Sequence, residues 1–413
     1  MIRVALTSLL FGGLILVCVR FLHRPVWDRR WLRRTLIALV LITPLGSLLR
    51  GFGVGLFVKS FSDPYIASIG ALFSGGGAVL LLAVFFSMPF ATFTRWFGGW
   101  MLARRARRVA PPSNVEDAPA VATVEPIPTG GEELSRRRLL EGAVLTTPAL
   151  FTGTAALGIG GAFVDTVVHT RKMSFPSLSK ELNGLRILQI SDLHLGAFIT
   201  KSGVVDLVEK AREAKPDLVV LTGDICDYLP WLEFALKEIE TIEAPLGHFA
   251  VMGNHEYYRG ARATREIYGK SNIRMLDDQH TVLTHAGRRI LLVGLDDPMG
   301  WKSEDQHYDA SADRALAGAP SDADLELALC HRPRGFAALA ARGMDLTLSG
   351  HTHGAQAGVA GRSVLEPLLP DWQLWGEYRR GESSLYTSSG AGHWATFRLG
   401  CPSEAPVIEI VSG

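Results

Sequence analysis

The stretch LRILQISDLHLG (Leu185–Gly196) decides the fold: a short, largely apolar run stops at a turn, and that turn carries Asp192 and His194. The arrangement recurs along the second half of the chain. Leu185 to Ile190, Leu218 to Thr222, His248 to Met252, Arg289 to Leu295, Leu325 to Cys330 and Asp345 to Ser349 are short apolar runs bounded by polar or glycine-rich turns, the pattern of buried strands. Five of the six are followed by metal-liking residues: Asp192 and His194, Asp224 in TGDICD, Asn254 and His255 in GNHEYY, His331 in CHRP, and His351 and His353 in SGHTHG. Between several runs the apolar residues take helical spacing: Val204, Val205, Val208 and Ala211, then Leu232, Ala235, Leu236, Ile239 and Ile242, then Phe336 and Leu339. Strand-helix-strand repetition predicts an α/β fold with largely parallel sheets, in which the carboxyl ends of the strands meet at one crevice.

Any one of these fragments could be a turn or a helix cap, but five in one order describe a site for two divalent ions. Ions held about 3.5 to 4 Å apart need a bridging carboxylate, a few terminal ligands each and open positions for hydroxide and substrate. Asp224 is the natural bridge. Asp192, His194 and one histidine of the His351/His353 pair suit the first ion, and Asn254, His331 and the other histidine the second. Nitrogen and oxygen ligands without thiolate suit manganese, iron or zinc. His255 follows the ligand Asn254, falls outside the ligand count, and is the candidate catalytic group, placed to protonate a departing alkoxide or to stabilise charge on phosphoryl oxygens. Glu256 either holds that imidazole's tautomer or is a solvated turn residue. Asp227 is positioned to orient a ligand, and Arg332 is either a phosphate contact or part of an Arg-Pro turn. Cys18, Cys226, Cys330 and Cys401 have no regular spacing and form no disulfide framework; Cys226 and Cys330 sit beside ligands and leave a pairing open.

The order Asp-x-His, Gly-Asp, Gly-Asn-His-Glu, His, Gly-His-x-His resembles the calcineurin-like metallophosphoesterase superfamily over residues 180 to 413. GNHEYY, CHRP and SGHTHG followed by Gln356 are similar to its bacterial membrane-associated or exported members. The arginine that Ser/Thr phosphatases carry shortly after Gly-Asp is absent from Gly223 to Tyr228. The resemblance implies a four-layer α/β/β/α sandwich and hydrolysis by a metal-bound hydroxide. It implies Asp192, His194, Asp224 and His353 on one metal, Asp224, Asn254, His331 and His351 on the other, and the leaving-group role for His255. Ala355 after Gly354, and His393-Trp394 after Gly390 to Gly392, depart from the family pattern and bear on specificity.

The first part of the chain has a different composition. Residues 1–110 carry 14 Lys and Arg against 2 acidic residues, and the remainder 28 against 39, so a net charge of +1 conceals two opposite parts. Val4 to Leu22, Leu36 to Leu49 and Ile66 to Phe90 are apolar spans, and Leu139 to Val164 is a fourth. Arginines cluster between the first and second spans and between the third and fourth, which puts both loops in the cytoplasm and everything after Val164 outside. Trp96, Phe97 and Trp100 are expected to form an interfacial helix. The organisation expected is a membrane region over 1–110, a Pro- and Gly-rich linker over 111–134, a fourth transmembrane segment over 135–168, and a metallophosphoesterase domain over 169–413. Ser135 to Leu140, with Arg136, Arg137 and Arg138, resembles an internal twin-arginine export signal, which makes the export machinery an expected partner; the same arginines equally serve as a positive-inside flank. Pro298 to Pro320, with Trp301, His307 and Tyr308, is expected to loop over the site, and Trp372, Trp375 and Tyr378 to form another wall. Leu385 to Ser389 and Val407 to Val411 are expected to complete the second sheet.

Together these features predict a multi-pass protein of a bacterial inner membrane with an extracytoplasmic catalytic domain. Its expected cofactors are two divalent ions (Mn, Fe or Zn), and its expected substrate is a lipid-linked or cell-envelope phosphoester; no nucleic acid is expected. A nucleotide-conjugate pyrophosphatase or phosphodiesterase, and a non-catalytic membrane scaffold with a hydrolase-like domain, are the competing readings.

Overall fold

A computed structural model describes residues 2–22, 24–53, 64–109, 130–176, 178–299, 304–393 and 395–412. The chain divides into two compact units, one of residues 1–47 and 73–157 and the other of 48–72 and 158–413.

The amino-terminal helices are α1 (Ile2–Leu22), α2 (Arg24–Trp27), α3 (Arg30–Gly53), α4 (Pro64–Ala71), α5 (Gly77–Val109) and α6 (Gly130–Gly161). Within the first unit, Ile15, Val19, Leu36, Val40, Leu81, Val84 and Met88 pack into an apolar core, while Leu10, Leu14, Phe21, Leu41, Leu45, Phe86 and Phe90 face outward. A helix that is apolar on its outer face as well as its inner one suits a lipid surround. Among the described residues, two helical stretches, Arg30–Arg50 and Ile69–Met101, are long and apolar enough to cross a membrane, and Ala5–Phe21 is a shorter apolar helix. Trp96, Phe97 and Trp100 do not form a separate interfacial helix: they continue α5, which runs through both Pro89 and the Gly98-Gly99 pair to Val109. The expected linker lies outside the described residues over 111–129, and its remainder begins α6, which ends before Val164.

The second unit carries β1 (Val167–Phe175), β2 (Arg186–Ile190), β3 (Leu218–Thr222), β4 (His248–Val251), β5 (Ile273–Met275), β6 (Gln279–His285), β7 (Arg288–Gly294), β8 (Leu325–Leu329), β9 (Leu346–Ser349), β10 (Gly358–Val359), β11 (Arg362–Ser363), β12 (Gly376–Arg380), β13 (Ser383–Thr387) and β14 (Glu404–Ser412). Its larger helices are α7 (Lys201–Glu213), α8 (Leu232–Glu240), α9 (Asn254–Tyr268), α10 (Glu304–Leu316) and α11 (Phe336–Ala340). One six-stranded sheet runs β1-β14-β2-β3-β4-β5 and the other β12-β13-β9-β8-β7-β6, with β10 and β11 forming a small ribbon. The neighbours β2 to β5 are mutually parallel, as are β13, β9, β8 and β7.

Alternation along these strands builds three apolar layers. Ile187, Leu218, Val220, Leu292, Leu327, Leu348 and Ile408 fill the space between the sheets. Val204, Leu207, Leu236 and Ile239 of α7 and α8 cover the outer face of the first sheet, and Tyr308, Ala312 and Leu339 of α10 and α11 cover that of the second. This is a helix-sheet-sheet-helix sandwich. All six expected strands are present.

Two placements differ from expectation. The terminal strand β14 joins the first sheet, between β1 and β2 and antiparallel to β2, because an apolar run specifies a buried strand and not its neighbour. Of the stretch from Pro298 to Pro320, with Trp301 outside the described residues, Glu304–Leu316 forms α10, and Tyr308 is a core residue.

Candidate metal centre

Each candidate ligand lies at the carboxyl end of a strand. Asp192 and His194 follow β2, Asp224 follows β3, Asn254 follows β4 at the first turn of α9, His331 follows β8, and His351 and His353 follow β9. Strand ends from both sheets therefore supply one crevice. The backbone bends sharply there: Asp192, His194, Asp224, His351 and His353 all have positive φ, from 49° to 70°. Non-glycine residues seldom adopt this region, and such strain gathers at functional sites. Close approach also explains two neighbouring glycines. A Cβ on Gly253 would strike Asp224 Oδ1, and one on Gly350 would strike Asp192 Oδ2.

Potential donors come together in three groups: Asp192 with His194 and His353, Asp224 with His331 and His351, and His194 with Asp227 and His255; the first two hold expected ligands alone. In the first, His194 Nε2 lies 3.1 Å from His353 Nε2, which lies 3.3 Å from Asp192 Oδ1. In the second, His331 Nε2 lies 3.2 Å from His351 Nδ1, 3.2 Å from Asn254 Oδ1 and 3.3 Å from Asp224 Oδ2. Asp224 Oδ2 also lies 3.9 Å from His194 Nε2, so its carboxylate stands between these two groups. Donors about 2.0 to 2.2 Å from a shared ion are spaced by roughly 3 to 3.5 Å; the 3.1 to 3.3 Å contacts have that spacing, while His194 Nε2 stands 3.9 Å from both Asp192 Oδ1 and Asp224 Oδ2.

The electrostatics of the donors call for positive charge. Burial disfavours a charged His194, yet its bond to Asp227 and the nearby Asp224 and Asp192 lift it to about 9. Burial likewise opposes charge on His331, and Asp224 and Asp192 lift it to about 10. His351 and His353 stay well below the usual imidazole range, through burial first and then the neighbouring cations. Two buried carboxylates with four imidazoles and a carboxamide thus make a mixed N/O set that fits divalent cations.

The surrounding side chains hold the donors in place. Asp227 accepts from His255 Nδ1 at 2.6 Å, from His194 Nδ1 at 3.1 Å, and from both Nε and NH2 of Arg259 at 3.0 and 2.8 Å. His255 in turn donates its backbone N–H to Asp224 Oδ1 at 2.8 Å, and its ring meets His194 edge-on at 4.5 Å. Glu256 is neither a solvated turn residue nor the partner of His255. Its buried carboxylate accepts the N–H groups of Asp224, Ile225 and Gly253 at 2.7 to 2.8 Å, joining the loop after β3 to the start of α9. Arg332 is buried and forked onto Asp297, at 2.7 and 3.2 Å, beside His351. Asp297 follows β7, the one expected strand without a ligand.

Arg398 is a site residue that the sequence reading missed. It is buried and donates to the carbonyls of Ser389, Gly390 and Gly392, with His353 Nδ1 at 3.5 Å. An arginine in FRLG carries no signal of such burial. Of the expected aromatic wall, Trp372 lines a small cavity with His351 and Arg332, whereas Trp375 is buried and donates to Glu404. All four cysteines are free, so Cys226 and Cys330 are not bridged.

The family model for calcineurin-like phosphoesterases matches residues 185–355. Phosphodiesterase YaeI of Escherichia coli (strain K12) is 31% identical over 237 residues, which cover 55% of this chain and 82% of that protein. The chain belongs to the calcineurin-like phosphoesterase family. Its matched region is a metallophosphoesterase domain, the scaffold of a metal-dependent phosphoester hydrolase built on a dimetal centre. An uncharacterized metallophosphoesterase of Campylobacter jejuni, Cj0846, is 29% identical over 61% of this chain and 65% of its own length. A transmembrane protein with a metallophosphoesterase domain from Danio rerio is 29% identical over 64% of this chain and 63% of its own length. The chain thus spans somewhat less than two thirds of these last two relatives.

Proposed function

We propose that this calcineurin-like phosphoesterase is a membrane-anchored, dimetal phosphodiesterase acting on a lipid-linked or cell-envelope phosphoester at the outer face of a bacterial inner membrane. The observation that carries the reading is the meeting of seven donors from five strand ends at ion-sharing distances. Asp192, His194, Asp224 and His353 would hold one divalent ion, and Asp224, Asn254, His331 and His351 the other. When bound, such ions neutralise phosphoryl oxygens and bring the pKa of a coordinated water toward neutrality.

The chain's own residues supply the rest. Asp227 engages His255 Nδ1, which leaves Nε2 to give a proton to the departing alkoxide. The same carboxylate holds His194 through its Nδ1, so that Nε2 faces the donor cluster. Arg332, paired with Asp297, borders the crevice as a cation without adding net charge. Two apolar helical stretches and the name of the Danio rerio relative support a membrane anchor; the name of YaeI supports diester chemistry. The arginine clusters orient the domain outward, and Arg136 to Arg138 suit folded export.

The test is manganese-dependent hydrolysis of a chromogenic phosphodiester and a phosphomonoester by the detergent-solubilised full chain. The diester is cleaved faster, Asp224→Asn is inactive, and His255→Ala keeps its metal while turnover falls by about 10²- to 10⁴-fold. Two bound metals with neither ester cleaved overturns the reading.

A further inference from the structure

His393 is almost wholly buried, at 3% exposure, yet among the described residues neither of its ring nitrogens has a hydrogen-bond partner. Its ring packs tilted against Phe198 at 4.2 Å. Both residues line a cavity of about 250 Å3, whose other walls include Thr166, Thr200, Ser202 and Lys210. An imidazole enclosed without partners forfeits the hydrogen bonds it would make in water, so this ring is built to meet something polar that enters the cavity.

None of the cavity's described lining residues is itself a metal donor, and the cavity is linked to the metal centre through the chain. Phe198 lies four residues after His194. On the other wall, Ala391 and Gly392 donate their N–H groups to the carbonyls of Ser191 and Asp192, both at 2.8 Å. A Cβ on Gly390 would meet Asp192 and His353. The two segments that carry Phe198 and His393 are therefore the segments that carry and brace metal donors.

The chemistry of the walls selects the ligand. Burial, then Arg398 and His194, bring His393 down to about 3, so the ring is neutral near neutral pH. A neutral imidazole offers one donor and one acceptor, and a hydroxyl can satisfy either. Thr200 and Ser202 add two more hydroxyls, 2.9 Å apart. Lys210 is already engaged by Asp165 and the Thr166 carbonyl, both at 3.3 Å, and the wall also carries the carboxylate of Asp206, so the lining does not favour an anion. Phe198 adds apolar wall for the carbon skeleton, its ring centre 4.2 Å from that of His393 and 5.7 Å from the Arg50 guanidinium. Phe163 and Val164, also lining the cavity, are exposed and directly follow α6.

We infer that the cavity holding His393 and Phe198 is a specificity subsite for the hydroxyl-bearing alcohol of the phosphoester, a polyol such as a glycerol or sugar headgroup, with His393 hydrogen-bonded to one of its hydroxyls. The inference rests on the phosphoesterase reading and narrows its substrate to esters of polyols.

The probes are glycerol 3-phosphate and propyl phosphate, which differ only in two hydroxyls. Calorimetric titration of each into the manganese-loaded full chain reads the subsite without turnover. A parallel assay compares kcat/KM for 4-nitrophenyl glyceryl phosphate and 4-nitrophenyl propyl phosphate. Glycerol 3-phosphate binds about tenfold tighter, the value of one or two neutral hydrogen bonds, and the kcat/KM ratio shows the same preference. His393→Phe brings both ratios to within about twofold of one, and His393→Gln, which keeps a donor and an acceptor, retains most of the preference. Equal affinity for the two probes in the unaltered protein, or a preference that survives His393→Phe, overturns the subsite. Selective binding without cleavage of either ester leaves the subsite standing and overturns the hydrolase reading instead.

Discussion

Asp227→Asn is expected to lower turnover by about 10- to 100-fold without unfolding the domain. The Asp227 carboxylate takes bonds from His255, His194 and both nitrogens of the Arg259 fork. Asparagine keeps one carbonyl oxygen and replaces the other with an amide that donates. One of the two imidazoles must then present a bare Nδ1, which moves its proton to Nε2. For His194 that is the nitrogen 3.1 Å from His353 Nε2; a proton there blocks coordination. For His255 it fixes the tautomer without the charge that makes the ring basic. A hydrogen bond to a charged group contributes about 1.5 to 3 kcal/mol, and each 1.36 kcal/mol is about tenfold in rate, so one lost bond gives the stated range. The assay pairs steady-state turnover with metal content by mass spectrometry. Loss extends to about one equivalent of metal, from the group that contains His194, while the Asp224, His331 and His351 group keeps its ion. Turnover within twofold of the unaltered protein, with two ions held at unchanged affinity, refutes the proposed role of Asp227.

Three further outcomes follow from the same geometry. Glu256→Ala strips acceptors from three buried N–H groups, a cost of about 3 to 9 kcal/mol against a total stability of about 5 to 15; thermal unfolding detects it, and a melting point within a few degrees of the original contradicts it. Gly253→Ala drives a methyl group onto Asp224 and to 2.8 Å from His331 Cε1, and a displacement of about 1 Å at such a centre costs on the order of 100-fold in activity. For Glu404, burial alone would raise the carboxyl, but bonds from His169, Ser389 and Trp375 hold it below its ordinary 4.5. Its stabilisation is therefore complete above that value and is lost as pH falls through the folded one; melting curves between pH 6 and 3 show a steep acid limb that Glu404→Gln flattens.

Much of this was legible in the sequence because two signals coincided: apolar runs of strand length, and metal-liking residues at their carboxyl ends. That coincidence announced β2, β3, β4, β8 and β9 with their donors. The strand β1, VVHTRKMSF, escaped because it is an edge strand, paired on one side only, with much of its length exposed. The alternation of β14 was readable and its sheet was not, since side-chain periodicity carries no address for the partner strand. Asp227 was visible as a candidate, but its simultaneous hold on two histidines and an arginine depends on α9 bringing Arg259 and His255 back over the loop after β3. The left-handed turns at five donors had no clear sequence signal, because Asp and His tolerate such φ values but adopt them only in a minority of positions. The wall of the cavity around His393 joins residues about 200 positions apart in the chain, which no local pattern records.

The position of β14 also sets an order of events during synthesis. The first sheet has β5 in place once residue 275 has emerged, but the gap between β1 and β2 stays open until residues 404–412 follow. At about 5 to 20 residues per second, that wait lasts roughly 6 to 26 s. Throughout it, β1 has no partner and β2 presents a bare edge beside a finished parallel array, the kind of surface that recruits strands from other chains. A ribosome that pauses within the second sheet lengthens this exposure, so the yield of correctly folded protein depends on how quickly the last strand arrives, independently of anything that happens at the metal donors.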